Sequence, residues 1–178
     1  VHGLLPEAQV IYEPLCGHTD VATFRSLFDQ CAWEGKAGFK ATYWNNLEFE
    51  GTPAAYDQLS RPFSFSTAGN TVFAPGVELA GITARFESRF TPTNSGRAVF
   101  RLASNETVRI RVNGALLADK TNVKNEAQVC EFDYQAGKSY DIQIDYAGYR
   151  RRNDAMLRLD MAEAVPQDTE RFLKRIED

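Results

Sequence analysis

Cysteine, histidine and methionine are scarce in this chain of 178 residues, with three, two and two of each. Cys16, Cys31 and Cys130 are too few and too scattered to staple a small disulfide scaffold. His2 and His18 both lie near the start, and neither a His-Glu-x-x-His nor a Cys-x-x-Cys spacing occurs, so the common zinc signatures are missing. An excess of positive charge is missing too. Lys plus Arg is 20 and Asp plus Glu is 24, a net charge of −4, which argues against nucleic acid as the main partner because phosphate neutralisation needs clustered base. No apolar run approaches the roughly 18 residues of a membrane span. Nucleophile elbows of the Gly-x-Ser-x-Gly kind and Gly-x-Gly-x-x-Gly phosphate loops do not occur. Val1-His2-Gly3-Leu4-Leu5-Pro6 has neither the charged start nor the apolar stretch of a signal peptide, and there is no initiator Met. The chain is therefore expected to be a piece of something longer. What it does have is 43% hydrophobic and 12% aromatic residues, enough to argue against disorder and for one domain with a real core.

Most of the length alternates with a period of two. Ala84, Phe86, Ser88 and Phe90 are separated by Arg85, Glu87 and Arg89; Ala98, Phe100 and Leu102 by Val99 and Arg101; Val108, Ile110 and Val112 by Arg109 and Arg111. Tyr140, Ile142, Ile144 and Tyr146 are separated by Asp141, Gln143 and Asp145, and Leu157, Leu159 and Met161 by Arg158 and Asp160. Strict alternation gives each strand one dry and one wet face, as in antiparallel sheets. Asn113-Gly114 between apolar runs is a strong hairpin signal. Many short alternating strands with glycine or proline turns predict two packed sheets. On this reading Asp141, Asp145, Glu131 and Asp133 belong to a solvated sheet face, whereas Cys130, in step with Phe132 and Tyr134, packs in the core.

The two ends read differently. Ala8-Gln9-Val10-Ile11-Tyr12 looks like a buried strand between Pro6 and Pro14. Val21, Phe24, Leu27, Phe28 and Cys31 fit one face of a helix capped by Thr19 or Asp20, or an ordered linker. Trp33-Glu34-Gly35-Lys36-Ala37-Gly38 is a glycine-bearing joint and a predicted boundary. Past Ala164, Pro166 and Asp168 start a helix with Phe172, Leu173 and Ile176 on one side. The predicted division is a flank over 1–34, an antiparallel, mostly β sandwich of jelly-roll type over 35–164, and a helical flank over 165–178. A sandwich spliced between a strand and a helix of an α/β host explains that order.

Gly38-Phe39-Lys40-Ala41-Thr42-Tyr43-Trp44-Asn45-Asn46, Thr83-Ala84-Arg85-Phe86, the block from Pro92 to Ser104 followed by Val108-Arg109-Ile110-Arg111-Val112-Asn113-Gly114, and Gly137 to Tyr146 carry a family likeness. Together they resemble the protective-antigen-like sandwich domain of glycosidases, adhesins and toxins, over about Gly35 to Ala162. Pro6–Gly17 and Asp168–Asp178 are similar to a strand and a helix in the α/β domain of family-three glycoside hydrolases, where some β-glucosidases carry such an insertion. The resemblance implies that both catalytic carboxylates lie elsewhere in the parent, so this piece is expected not to turn over sugar. It also implies a parent working in the periplasm or outside the cell.

Two loops suit carbohydrate, whose ring faces and hydroxyls pair with aromatic platforms and with amide or guanidinium donors. One holds Trp44 and Asn45. The other holds Tyr149, Arg150, Arg151, Arg152 and Asn153, which could equally be a solvated basic hairpin end or dock on an acidic host patch. In fungal adhesins of the family a calcium is held by two adjacent aspartates. The matching stretch here is Ser104-Asn105-Glu106-Thr107, which keeps oxygen ligands but loses the paired aspartate charge. An ordinary polar hairpin end is the expectation, with no cofactor and no calcium, and Asn105 and Glu106 are lesser candidates for carbohydrate contact. Asn105-Glu106-Thr107 also fits a glycosylation acceptor. The expected role is that of a non-catalytic accessory domain of a β-glucosidase- or β-xylosidase-type hydrolase, touching carbohydrate near the pocket and the host's catalytic domains, without nucleic acid or membrane. An autonomous carbohydrate-binding module and a purely structural or interaction domain are the alternatives.

Overall fold

The computed structural model describes residues 23–149 and 155–165. The expected strand at 8–12, the helix after Pro166 and the run Arg150 to Asn153 lie outside the described residues. Phe24–Ala164 form one compact unit.

The alternating segments are strands, and each buries the apolar set read from the sequence. They are β1 (Thr23–Ser26), β2 (Cys31–Trp33), β3 (Lys36–Ala37), β4 (Phe39–Trp44), β5 (Ala55–Leu59), β6 (Phe63–Ser66), β7 (Ile82–Phe90), β8 (Gly96–Val112), β9 (Ala115–Tyr134), β10 (Tyr140–Gly148) and β11 (Met156–Val165). The Asn113–Gly114 turn joins β8 to β9, and both residues have positive φ (50° and 78°), as a tight two-residue hairpin demands. Phe100, Ile110, Ile142 and Leu157 are all buried in one core cluster.

All eleven strands belong to a single curled antiparallel sheet. The two layers arise because β8 and β9 change partners along their length. Residues 98–104 of β8 pair with β11, and residues 107–112 pair with β10. β9 follows β8 through both halves, with breaks in register between Leu102 and Ser104 and between Ser104 and Thr107. Such bulges bend a strand and raise its twist. One layer is then the first half of β8 with β11, flanked by β6 and β1; the other is the second half with β10, β7, β4 and β5. Aromatic rings close the gap between them. Phe63 of β6 stacks on Phe86 of β7 with centroids 4.7 Å apart, and Phe90 of β7 meets Tyr134 of β9 edge-on at 5.1 Å.

Three expectations need correction. The segment Thr23 to Cys31 is not a helix. It forms β1 beside β11, a 3₁₀ turn over Phe28–Gln30 and the start of β2. The Leu27 N–H donates to Met161 O at 2.7 Å. Leu27, Phe28 and Cys31 are buried, so the apolar spacing was real, but sheet pairing with a distant strand overrode helical periodicity. The 33–38 joint is a hairpin inside the sheet, turning at Glu34 and Gly35 between β2 and β3. Asp145 is not on a wetted face. It is 7% exposed and accepts from Arg85 Nε (2.7 Å), Arg111 Nη1 (2.8 Å) and Gln143 Nε2 (2.9 Å).

Candidate functional site

Register gathers the candidates at one end of the second layer. Trp44 lies across from Thr83, Thr83 from Ala147, Ala147 from Thr107, and Thr107 from Thr121, one row over five strands. Asn45 follows Trp44, Glu106 precedes Thr107, and Tyr149 is two residues past Ala147. The loops about Asn45, Gly81, Tyr149 and Glu106 therefore share an end.

Ser104-Asn105-Glu106 is not a hairpin end. It is the bulged corner where β8 passes from one layer to the other, and all three residues are buried. Burial is costly for polar groups unless they are bonded, and each of these is. Ser104 Oγ accepts from Glu106 N–H at 3.1 Å, Asn105 Oδ1 accepts from Met156 N–H at 2.7 Å, and Glu106 Oε2 accepts from Tyr149 N–H at 3.4 Å. The corner thus holds both stems of the excursion between β10 and β11, Tyr149 on one side and Met156 on the other. Thr67, which sequence reasoning missed, adds a third grip. Its Oγ1 accepts from Ala155 N–H at 2.9 Å, and its own N–H donates to Ala155 O at 2.9 Å. No local pattern marks Thr67, because its role depends on a partner 88 positions away.

Tyr149 is 53% exposed; Tyr56 of β5 is exposed to a similar extent, at 62%. Tyr146 is fully buried, and among the described residues its hydroxyl has no hydrogen-bond partner. Burial, helped by the nearby Glu106 charge, pushes that phenol far above its ordinary range. A Cβ at position 148 would come within 3.0 Å of the Tyr146 hydroxyl, which accounts for Gly148.

The other loop is less open than its composition implied. Trp44 is only 8% exposed, its Nε1–H donates to Gly51 O at 3.3 Å, and its ring meets Phe49 edge-on. Asn45 uses both halves of its amide on backbone, Nδ2 to Gly76 O (3.0 Å) and Oδ1 from Glu78 N–H (2.9 Å). The polar atoms of these two residues are spent on hydrogen bonds to backbone, whereas the Tyr149 ring at the same end is half exposed.

A calcium of the adhesin kind does not fit these residues. Such a site needs six to eight oxygens, several of them carboxylate. Here Asn105 Oδ1 and Glu106 Oε2 already face backbone amides, and among the described residues no cluster of three or more His, Cys, Asp or Glu could hold a metal. The buried Asn105 amide is likewise not presented as a glycosylation acceptor. No described helix is long and apolar enough to cross a membrane.

Residues 35–162 match the PA14 domain family. A xylan 1,4-β-xylosidase from Xylanibacter ruminicola is 24% identical over 172 residues, covering 96% of this chain. The chain spans only 20% of that relative's length. A β-glucosidase from Kluyveromyces marxianus superposes with a TM-score of 0.63 at 13% identity, over 85% of this chain and 20% of that one. The epithelial adhesin 9 A domain from Candida glabrata, solved with Galβ1-4GlcNAc, gives a TM-score of 0.51 at 11% identity, over 82% of this chain and 97% of that one. The two structural likenesses are likenesses of fold.

Proposed function

This chain belongs to the PA14 domain family, and from that premise we propose that it is a non-catalytic accessory domain of a glycoside hydrolase, of β-glucosidase or β-xylosidase type, which touches carbohydrate beside the catalytic pocket and narrows the choice of substrate. The observation that carries the reading is the half-exposed Tyr149 on an excursion whose two stems are fixed by buried Glu106 and Asn105. An aromatic surface held at a set position offers a platform for a sugar ring at little entropic cost. Asn105 and Glu106 are positioning residues in this scheme. Arg150, Arg151, Arg152 and Asn153, next along the chain, supply donors for hydroxyls. Carbohydrate relatives support the scheme, since one is a xylosidase and another was solved with a disaccharide.

The fragment itself is proposed to carry no hydrolytic centre. Retaining hydrolysis needs two carboxylates about 5–5.5 Å apart across the bond, whereas Asp119, Asp133, Asp141, Asp145 and Glu163 are each tied to an arginine. The parent is proposed to be a family-three enzyme whose α/β domain supplies the residues flanking the sandwich. Selectivity then comes from added contacts with outer sugar units and from steric exclusion. In the parent enzyme, Tyr149→Ala should lower kcat/KM for a longer oligosaccharide by about tenfold, the loss of one good contact, and leave a short chromogenic glycoside nearly unchanged. Equal loss on both substrates would reject the scheme.

A further inference from the structure

At the opposite end of the same layer, six residues and about 20 Å back along β7 from Thr83, Arg89 borders a cavity of about 370 Å³ lined by Gln30, Ala32, Trp33, Glu34 and Thr91. That volume falls within the range of small-molecule pockets, about 300–1,000 Å³. Its walls combine an indole with polar groups of both kinds. Gln30 Oε1 accepts from Thr93 N–H at 3.0 Å, which fixes the amide. Arg89 pairs with Asp141 through Nε at 2.9 Å, with both side chains exposed. Glu34 sits in the tight hairpin turn with φ 46°, so its carboxylate is presented from a constrained backbone. Trp33 Nε1–H is shielded from solvent and donates to no group among the described residues. Lys40 lies over the ring with Nζ 5.7 Å from its centre, a further cation beside the indole.

We propose that this cavity is a second carbohydrate site, taking one neutral pyranose unit with its apolar face on Trp33. Arg89 and Lys40 on one hand and Glu34 on the other flank the indole, so a charged ligand of either sign meets a like charge. A pyranose meets both as donor and acceptor and offers an apolar face to the ring. The site adds to the carbohydrate reading above but does not use Tyr149, and the two fail separately.

The chain has only two tryptophans, so its two indole N–H signals in a proton–nitrogen correlation spectrum, assigned with Trp33→Phe, report on the proposal directly. Titration with xylobiose and with cellobiose should shift the Trp33 signal saturably in the millimolar range while Trp44, bonded to Gly51, stays fixed. Glu34→Gln and Arg89→Ala, both at exposed positions, should each weaken the titration about tenfold. Tyr149→Ala should leave it unaltered. A Trp33 signal that stays still to about 50 mM of both sugars, well beyond weak affinity, overturns the proposal. Equal movement of both indoles, indifference to Glu34→Gln and Arg89→Ala, or loss of the titration in Tyr149→Ala would each overturn it as well.

Discussion

Asp145→Asn should be among the costlier single polar changes in this protein, and Asp141→Asn among the cheapest, although the two residues are four apart on the same face of β10. Asp145 has an 8% exposed side chain and accepts from Arg85, Arg111 and Gln143 at 2.7 to 2.9 Å. Both arginines are about one-third exposed, and Arg85 also lies over the Phe49 ring at 5.3 Å. Removing one partner of a buried pair costs about 3–5 kcal/mol because the remaining charges lose their compensation. Partial solvation of the arginines and the oxygen retained by Asn reduce this to about 2–3 kcal/mol. For a chain of this size that is a fall in Tm of about 5–10 °C. Asp141 pairs with Arg89 at 2.9 Å, but both side chains are more than 60% exposed, the regime where pairs contribute about 0–1 kcal/mol. Urea and thermal unfolding of the two variants, in low salt and in high salt, measures the contrast. High salt should erase what little Asp141 contributes and leave the Asp145 deficit in place. Equal losses in the two variants, or a deficit at Asp145 below about 0.5 kcal/mol, would refute the assignment of Asp145 as the buried centre of the network.

Gly38 has φ +87°, and a Cβ there would lie 1.9 Å from Leu59 O, so Gly38→Ala must break the β4–β5 edge; a loss above about 2 kcal/mol in urea unfolding is expected, and a loss like that of an ordinary strand glycine would contradict it. Alkaline pH should destabilise the fold. Burial raises the Cys31 thiol from 9.0 to about 12 and Tyr134 from 10.0 to about 12, and carries Tyr43 and Tyr146 higher still. A raised folded value means that stability is whole below the unfolded pKa and is lost as pH climbs toward the folded one. For Cys31 the three-unit rise corresponds to about 4 kcal/mol. Tm should therefore decline from about pH 9, and Cys31→Ala should delay the decline to the tyrosine range near pH 10; a Tm constant up to pH 11 would contradict this.

The layered architecture was legible because its signal is local. Phe86, Phe100, Ile110, Ile144 and Leu159 announce their face by the charged neighbours on either side, and Asn113-Gly114 announces its turn by the backbone it requires. Signals that depend on distant partners were not legible. Leu27, Phe28 and Cys31 satisfied a helical spacing while β11 waited more than a hundred residues downstream to claim the segment. Ser104 to Glu106 looked polar and therefore turn-like, but their polarity serves a bent strand that must bond to Tyr149 and Met156. Asp145 looked solvated because alternation tells which side of the sheet a residue faces and says nothing of what covers that side. Of the candidate contacts, Tyr149 is half exposed, Trp44 and Asn45 spend their polar atoms on backbone, and Thr67, which grips Ala155, carried no local signal.

β1 runs beside β11, so the polypeptide comes into the sandwich and departs from it on neighbouring strands, about 5 Å apart. Termini of a compact unit that lie this close span no wider a gap than an ordinary hairpin does.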